Sequence, residues 1–165
     1  MRYYLDLEFI ENGMLHFPII VSIGIVAQDG RELYLERAGV DWAQANEWVL
    51  VNVKPHLTMK EEERFSVFEM GAVIEQWIGD DVPEFWGYYA DYDWVLTAAL
   101  FGRMVDLPEG WPMFCHDLKQ LAEMLGNPEL PKQDSTEHHA LEDARWNREV
   151  HLFLTRYKAM MELGQ

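Results

Sequence analysis

Two carboxylates stand two residues apart near the start of the chain, Asp6 and Glu8, within an alternating segment from Arg2 to Glu8. In a strand this spacing puts both acids on one face with Tyr4, while Tyr3, Leu5 and Leu7 take the other. The apolar flanks and the apolar run that follows predict a central strand, where neighbouring acids repel and partial burial adds to the cost. Either that face meets solvent, as on many edge strands, or a divalent cation offsets the repulsion. Near the C-terminus, the inward stripe Asn147, Val150, Leu154, Tyr157 and Met161 extends one step back to Asp143. Asp93 likewise opens a segment whose inward positions continue through Leu96, Thr97, Leu100 and Phe101. A carboxylate near a helix N-terminus can be simply dipole-favoured. Three elements aiming acids at apolar surroundings would instead supply hard oxygen ligands, which suit Mg²⁺ or Mn²⁺ rather than zinc. The Cys115-His116 pair lacks a second cysteine at ligand spacing, so no zinc site is expected.

The elements that must hold these acids follow from periodicity and punctuation. Arg2 to Glu8, Pro18 to Ala27 and Arg31 to Arg37 read as strands, and Asp29-Gly30 between the last two is a tight-turn signal. Together they predict a three-stranded antiparallel meander. Asp41 is placed to cap a short helix over residues 43–50. Val67, Gly71, Ile74 and Ile78 sit at helical spacing within 66–79, which Gly79 closes. Glu84 to Ala90 is an aromatic strand candidate, and helices are expected over 92–101, 116–125 and 139–161, with a polar, proline-containing loop over 127–136. Three strands followed by alternating helices and strands give a mixed α/β sheet with helices on its faces.

Composition bounds the function. At 165 residues, 49% of them hydrophobic, the chain is long enough to bury a sizeable core, and one domain spanning 1–165 is the expectation. No apolar run spans a bilayer, no basic-then-apolar leader opens the sequence, and Cys115 stands alone, so a cytoplasmic setting without a membrane partner is expected. Thirteen Lys and Arg against 29 Asp and Glu give a net charge of −16. That argues against a protein that coats nucleic acid through its phosphates. It leaves room for an enzyme that grips only a strand end, with bound cations supplying positive charge. Lys132, Arg145, Arg148, Arg156 and Lys158 fall late in the chain and could form a local basic patch.

The acid-bearing segments also carry a family resemblance. Asp6-Leu7-Glu8, Tyr89-Ala90-Asp91-Tyr92-Asp93 and His138-His139-Ala140-Leu141-Glu142-Asp143 resemble, in order, the three motifs of the DEDDh 3′-5′ exonucleases, which have an RNase H-like fold. The resemblance runs from about Arg2 to Val150. Glu8-Phe9, the tyrosine-rich second motif and the closing ALEDARWN are most similar to the exoribonuclease AS group, known from mycobacteria and associated with adenylate-rich RNA. Phe9 and Tyr89-Ala90 depart from many other relatives, which carry threonine after the glutamate and Asn-Ala in the second motif; the departure argues against a DNA-proofreading role and against carrying over the substrates of those relatives.

The resemblance implies hydrolysis of single-stranded RNA or 3′ overhangs to nucleoside 5′-monophosphates with two Mg²⁺ or Mn²⁺ ions, one activating water and one steadying the leaving 3′ oxygen. Asp6, Glu8 and Asp143 would hold the first ion, with Asp6 bridging to the second and Asp93 acting on it directly or through water. His138, five residues before Asp143, matches the general base, and histidine suits that task near neutral pH. Motif spacing selects His138 over His139 and Asp93 over Asp91. Phe9 either stacks on the terminal base or is an ordinary core residue. Most of the seven tryptophans are expected to pack. A single-strand DNA exonuclease and a non-catalytic RNase H-like binding module are the rival readings, and a homodimer is a further expectation.

Overall fold

The computed structural model describes residues 1–11, 13 and 16–163. Strands β1 (Arg2–Ile10), β2 (Ile19–Ala27) and β3 (Glu32–Glu36) form the expected antiparallel meander. They are followed by helices α1 (Glu47–Asn52) and α2 (Val67–Ile78), then β4 (Glu84–Gly87), α3 (Asp91–Ala99), β5 (His116–Asp117), α4 (Leu118–Met124) and α5 (Ala140–Leu163). The five strands lie in the order β3-β2-β1-β4-β5, with β4 parallel to β1 and β5 parallel to β4. β1 is therefore the middle strand, and the solvent-facing edge reading of Asp6 and Glu8 does not hold.

Alternation along β1 divides the core. Tyr3, Leu5 and Leu7 join Ile23 and Ile25 of β2 under Met70, Ile74 and Ile78 of α2, Leu96 of α3 and Leu100 just past its end. Helix α5 covers the other face, against β1 and β2. Leu118, Ala122, Val150 and Leu154 form a smaller cluster where α4 meets α5. Among the described residues, no helix is long and apolar enough to cross a membrane.

Local chemistry accounts for the differences from expectation. The helix expected over 43–50 is two pieces. Asp41 caps only a single 3₁₀ turn, Trp42–Gln44, and Asn46 then caps α1 through a bond from the Val49 N–H at 2.9 Å. Ser66 and Glu69 form a capping box at the start of α2, which Gly79 closes. The strand expected over 84–90 stops at Gly87, because the chain turns through Tyr89 in a left-handed conformation. The helix expected from His116 begins two residues later. His116 and Asp117 extend beside β4, and the Asp117 carboxylate caps α4. The inward stripe of α5 ends earlier than expected: Leu154 is fully buried, whereas Met161 is exposed.

Candidate active site

Close approach of α5 to the sheet brings the acids together, and a glycine in β2 permits it. Asp6 pairs across the sheet with Gly24 and Glu8 with Ser22. A Cβ at Gly24 would lie 2.3 Å from the Ala140 carbonyl oxygen and 2.4 Å from the Leu141 Cα. The first turn of α5 thus rests on bare backbone, and Asp143, three residues into that turn, reaches the β1 acids. One carboxylate oxygen from each of Asp6, Glu8 and Asp143 lies within 4.8 Å of the other two. Asp93, in the first turn of α3, is only 7% exposed, and its Oδ1 accepts from the Leu7 N–H at 2.9 Å. The four acids line one cavity of about 470 Å³, together with Phe9, Tyr88, Tyr89, Gln133, Glu137, His138, Trp146 and Asn147.

The electrostatics are those of crowded anions. Burial raises Asp6 well above the ordinary carboxylate range, and repulsion from Asp93, Asp143 and Glu8 adds to it. Burial, then the charges of Asp143 and Asp93, push Glu8 up to about 8. Asp93 is raised to about 7, again mainly by burial, although backbone hydrogen bonds pull it back. Burial also raises Asp143, opposed by the Gln133 bond and by the neighbouring His138. Among the described residues, neither Lys nor Arg lines the cavity. The expected basic patch contributes nothing to this lining: Arg145 is paired with Glu32 and Glu142, and Arg148 bonds the Gln28 carbonyl.

Several groups fix the acids in place. Gln133 Nε2 donates to Asp143 Oδ1 at 2.5 Å, and its loop is tied down by the Trp146 indole N–H on the Pro131 carbonyl. Asn147, one turn beyond Asp143, donates to the Leu5 carbonyl of β1 at 2.9 Å and so fastens α5 to the central strand. Asp117 accepts from the Ala90 N–H at 2.8 Å while capping α4, which steadies the turn leading to Asp93. Asn147 was visible as the next residue on the inward stripe. Gln133 and Asp117 carried no periodic signal, and Gly24 stood within an apolar run where a glycine reads as a weak strand residue.

His138 lines the cavity just before α5, in a left-handed backbone conformation, with its ring edge-on to Trp48 at 4.7 Å. His139 instead stacks on Tyr34 at 4.5 Å. Asp91 is exposed and does not line the cavity. Phe9 packs partly on the core, stacks on Tyr92 at 5.4 Å and lines the cavity. Trp48, half exposed on α1, is the clearest departure from the expectation that tryptophans pack.

The chain matches the family described as the 3′-5′ exoribonuclease Rv2179c-like domain over residues 1–155. It is 38% identical over 149 residues to the 3′-5′ exoribonuclease Rv2179c of Mycobacterium tuberculosis strain ATCC 25618 / H37Rv, with 88% of each chain covered. The same figures hold for the 3′-5′ exoribonuclease MT2234.1 of strain CDC 1551 / Oshkosh. A chain of the structure of the yeast NOT1 MIF4G domain co-crystallised with CAF1 superposes with a TM-score of 0.50 at 15% identity, covering 97% of this chain and 80% of that one. A chain from the structure titled 3′-end specific recognition of histone mRNA stem-loop by 3′-exonuclease gives 0.51 at 9% identity, covering 96% and 63%. At such identities the likeness concerns the fold, which is RNase H-like.

Proposed function

Because this chain belongs to the Rv2179c-like 3′-5′ exoribonuclease domain family, we propose that its acid-lined cavity is the place where RNA is shortened, by metal-dependent hydrolysis of the DEDDh kind. The observation that carries the reading is the meeting of Asp6, Glu8 and Asp143 beside buried Asp93, with no Lys or Arg in the lining. Carboxylates this close cannot all ionise near neutral pH without a compensating cation, and an all-oxygen donor set fits Mg²⁺ or Mn²⁺. Asp6, Glu8 and Asp143 would hold one ion, and Asp6 with Asp93 a second. When bound, such ions supply an activated water and charge stabilisation at the leaving 3′ oxygen.

The protein's own groups divide the remaining work. His138 takes the proton of the attacking water as general base. Leu7 N–H and Gln133 hold Asp93 and Asp143 in orientation through one oxygen each. Phe9, stacked on Tyr92, offers an apolar face to the terminal base. The products are nucleoside 5′-monophosphates from single-stranded RNA.

The test uses 5′-labelled oligo(A), oligo(U) and DNA of equal length with Mg²⁺ or Mn²⁺. Ladders should recede from the 3′ end of RNA and stop with EDTA or in Asp143→Asn. His138→Ala should cut kcat by about 10²–10⁴. EDTA-resistant shortening would remove the metal from the reading, DNA cut faster than RNA would reverse the substrate preference, and near-normal His138→Ala would remove the base.

A further inference from the structure

Tyr89 is an oddity that the four acids and His138 leave unexplained. It follows Tyr88 in the turn between β4 and α3, and its φ is 55°. A side chain with a Cβ pays for the left-handed region, which Gly, Asn and Asp occupy most readily. The cost is ordinarily offset by packing, yet 63% of Tyr89 is exposed. Its ring meets Tyr88 edge-on at 4.9 Å, and Tyr88 in turn meets Trp146 at 5.0 Å. All three line the cavity that holds the acids. Strained residues that the core does not reward concentrate at functional sites. Two of the three left-handed non-glycine residues among those described, Tyr89 and His138, line this cavity.

Among the described residues no Lys or Arg lines the cavity to grip phosphates, which shifts the burden of affinity toward bases and bound ions. An exposed aromatic ring at the wall of such a cavity provides a surface for base stacking, which is tolerant of base identity. We propose that Tyr89, backed by Tyr88 and Trp146, is a base-stacking residue for the 3′ end of the RNA, a second aromatic surface apart from the Phe9–Tyr92 pair. The left-handed turn holds the ring at the cavity, and strain is the cost of that placement. The assignment rests on the cavity being the site of RNA shortening.

The experiment compares wild type, Tyr89→Phe and Tyr89→Asn on an oligoriboadenylate carrying 2-aminopurine near its 3′ end. Asparagine accepts the left-handed backbone but removes the ring. Tyr89→Asn should raise KM at least about fivefold, the lower bound for losing one stacked base. Its kcat should stay within about twofold, with melting temperature unchanged or higher. Fluorescence quenching on binding should weaken in Tyr89→Asn and persist in Tyr89→Phe. Unchanged KM and quenching in Tyr89→Asn would overturn the assignment. A clear fall in its melting temperature would show that the ring is there for packing and would also overturn it. Full activity in Asp143→Asn would instead overturn the location of the reaction, so the two failures are read on different variants.

Discussion

Adding one methyl group at Gly24 is the sharpest perturbation of this site, because the residue does not line the cavity and bears no charge. In Gly24→Ala the new Cβ would stand 2.3 Å from the Ala140 oxygen and 2.4 Å from the Ala140 carbon and Leu141 Cα, where ordinary contact begins near 3.4 Å. All three atoms are backbone, so no rotamer change relieves the clash. The N-terminal turn of α5 must retreat by about 1 Å, or β2 must bow away by as much. Overpacking of this kind costs about 1–3 kcal/mol, which in a chain of this size lowers the melting temperature by roughly 2–12 °C. Asp143 rides on the displaced turn, while Asp6 and Glu8 stay on β1. A displacement of about 1 Å in a positioned catalytic group can cost on the order of 10²-fold in rate. Single-turnover shortening of a 5′-labelled oligoribonucleotide, run well below the variant's melting temperature, should fall by about that factor while the fold persists by circular dichroism. A Gly24→Ala protein with wild-type melting and a rate within threefold of wild type would refute the claim that contact at Gly24 sets the position of Asp143.

Other outcomes follow from the same charges and contacts. Glu8 and Asp93 are raised to about 8 and about 7 in the folded chain, so between their unfolded values and these the native state binds more protons. Their stabilisation is complete at low pH and is lost as pH rises through the folded values, at up to about 1.4 kcal/mol per pH unit per group. The melting temperature in EDTA should therefore fall between about pH 7 and 8.5, a window above the ordinary histidine range in which the depressed pKa of His151 has little leverage. Mn²⁺ should restore the loss, and a flat or rising EDTA profile would count against the crowding. Glu36 is fully buried and accepts from Thr58 N–H, Met59 N–H, Tyr34 OH and Arg64 Nε. Arg64→Met would strand that carboxylate at a cost of about 3–5 kcal/mol, read as a melting decrease on the order of 10 °C; a drop below 2 °C would show the pair to be dispensable. With no Lys or Arg lining the cavity, KM at saturating Mg²⁺ should change less than about threefold between 50 and 200 mM salt, whereas three phosphate contacts would give roughly twentyfold.

Much of this site was legible because its signals are local or periodic. Asp6 and Glu8 share a face by the two-residue repeat of a strand, and Asp143 joins Asn147 by the helical repeat. Those regularities survive folding unchanged. The motif order then selected Asp93 over Asp91 and His138 over His139, and the structure puts the selected pair in the cavity. The approach of α5 to β2 was not legible, because Gly24 and Ala140 are far apart in sequence and a glycine in an apolar run signals only a weak strand position. Gln133 was hidden for a similar reason: its polar loop has no period, and its bond to Asp143 is a tertiary contact beside the Trp146–Pro131 bond. Boundaries failed where a side-chain cap competed with continuing periodicity. Asn46 restarted a helix that Asp41 had opened, and Asp117 held two residues extended before α4 began.

The charge of the chain and the chemistry of the cavity are two expressions of one constraint. A chain carrying −16 repels a polyanion at long range, and among the described residues acids line this cavity and no Lys or Arg does. On the proposed reading, RNA is attracted by the cations that the acids collect and by aromatic faces that ignore charge. Both act at short range, so they reward a strand end that can enter the cavity and give little to a duplex passing over the surface. The same acids destabilise the cation-free site at neutral pH, which on that reading links folding stability to the ion used in catalysis. Cation affinity, end selectivity and weak salt dependence should therefore change together when one cavity acid is neutralised. A basic residue introduced at the rim should separate them, strengthening the grip on internal RNA without tightening the ions.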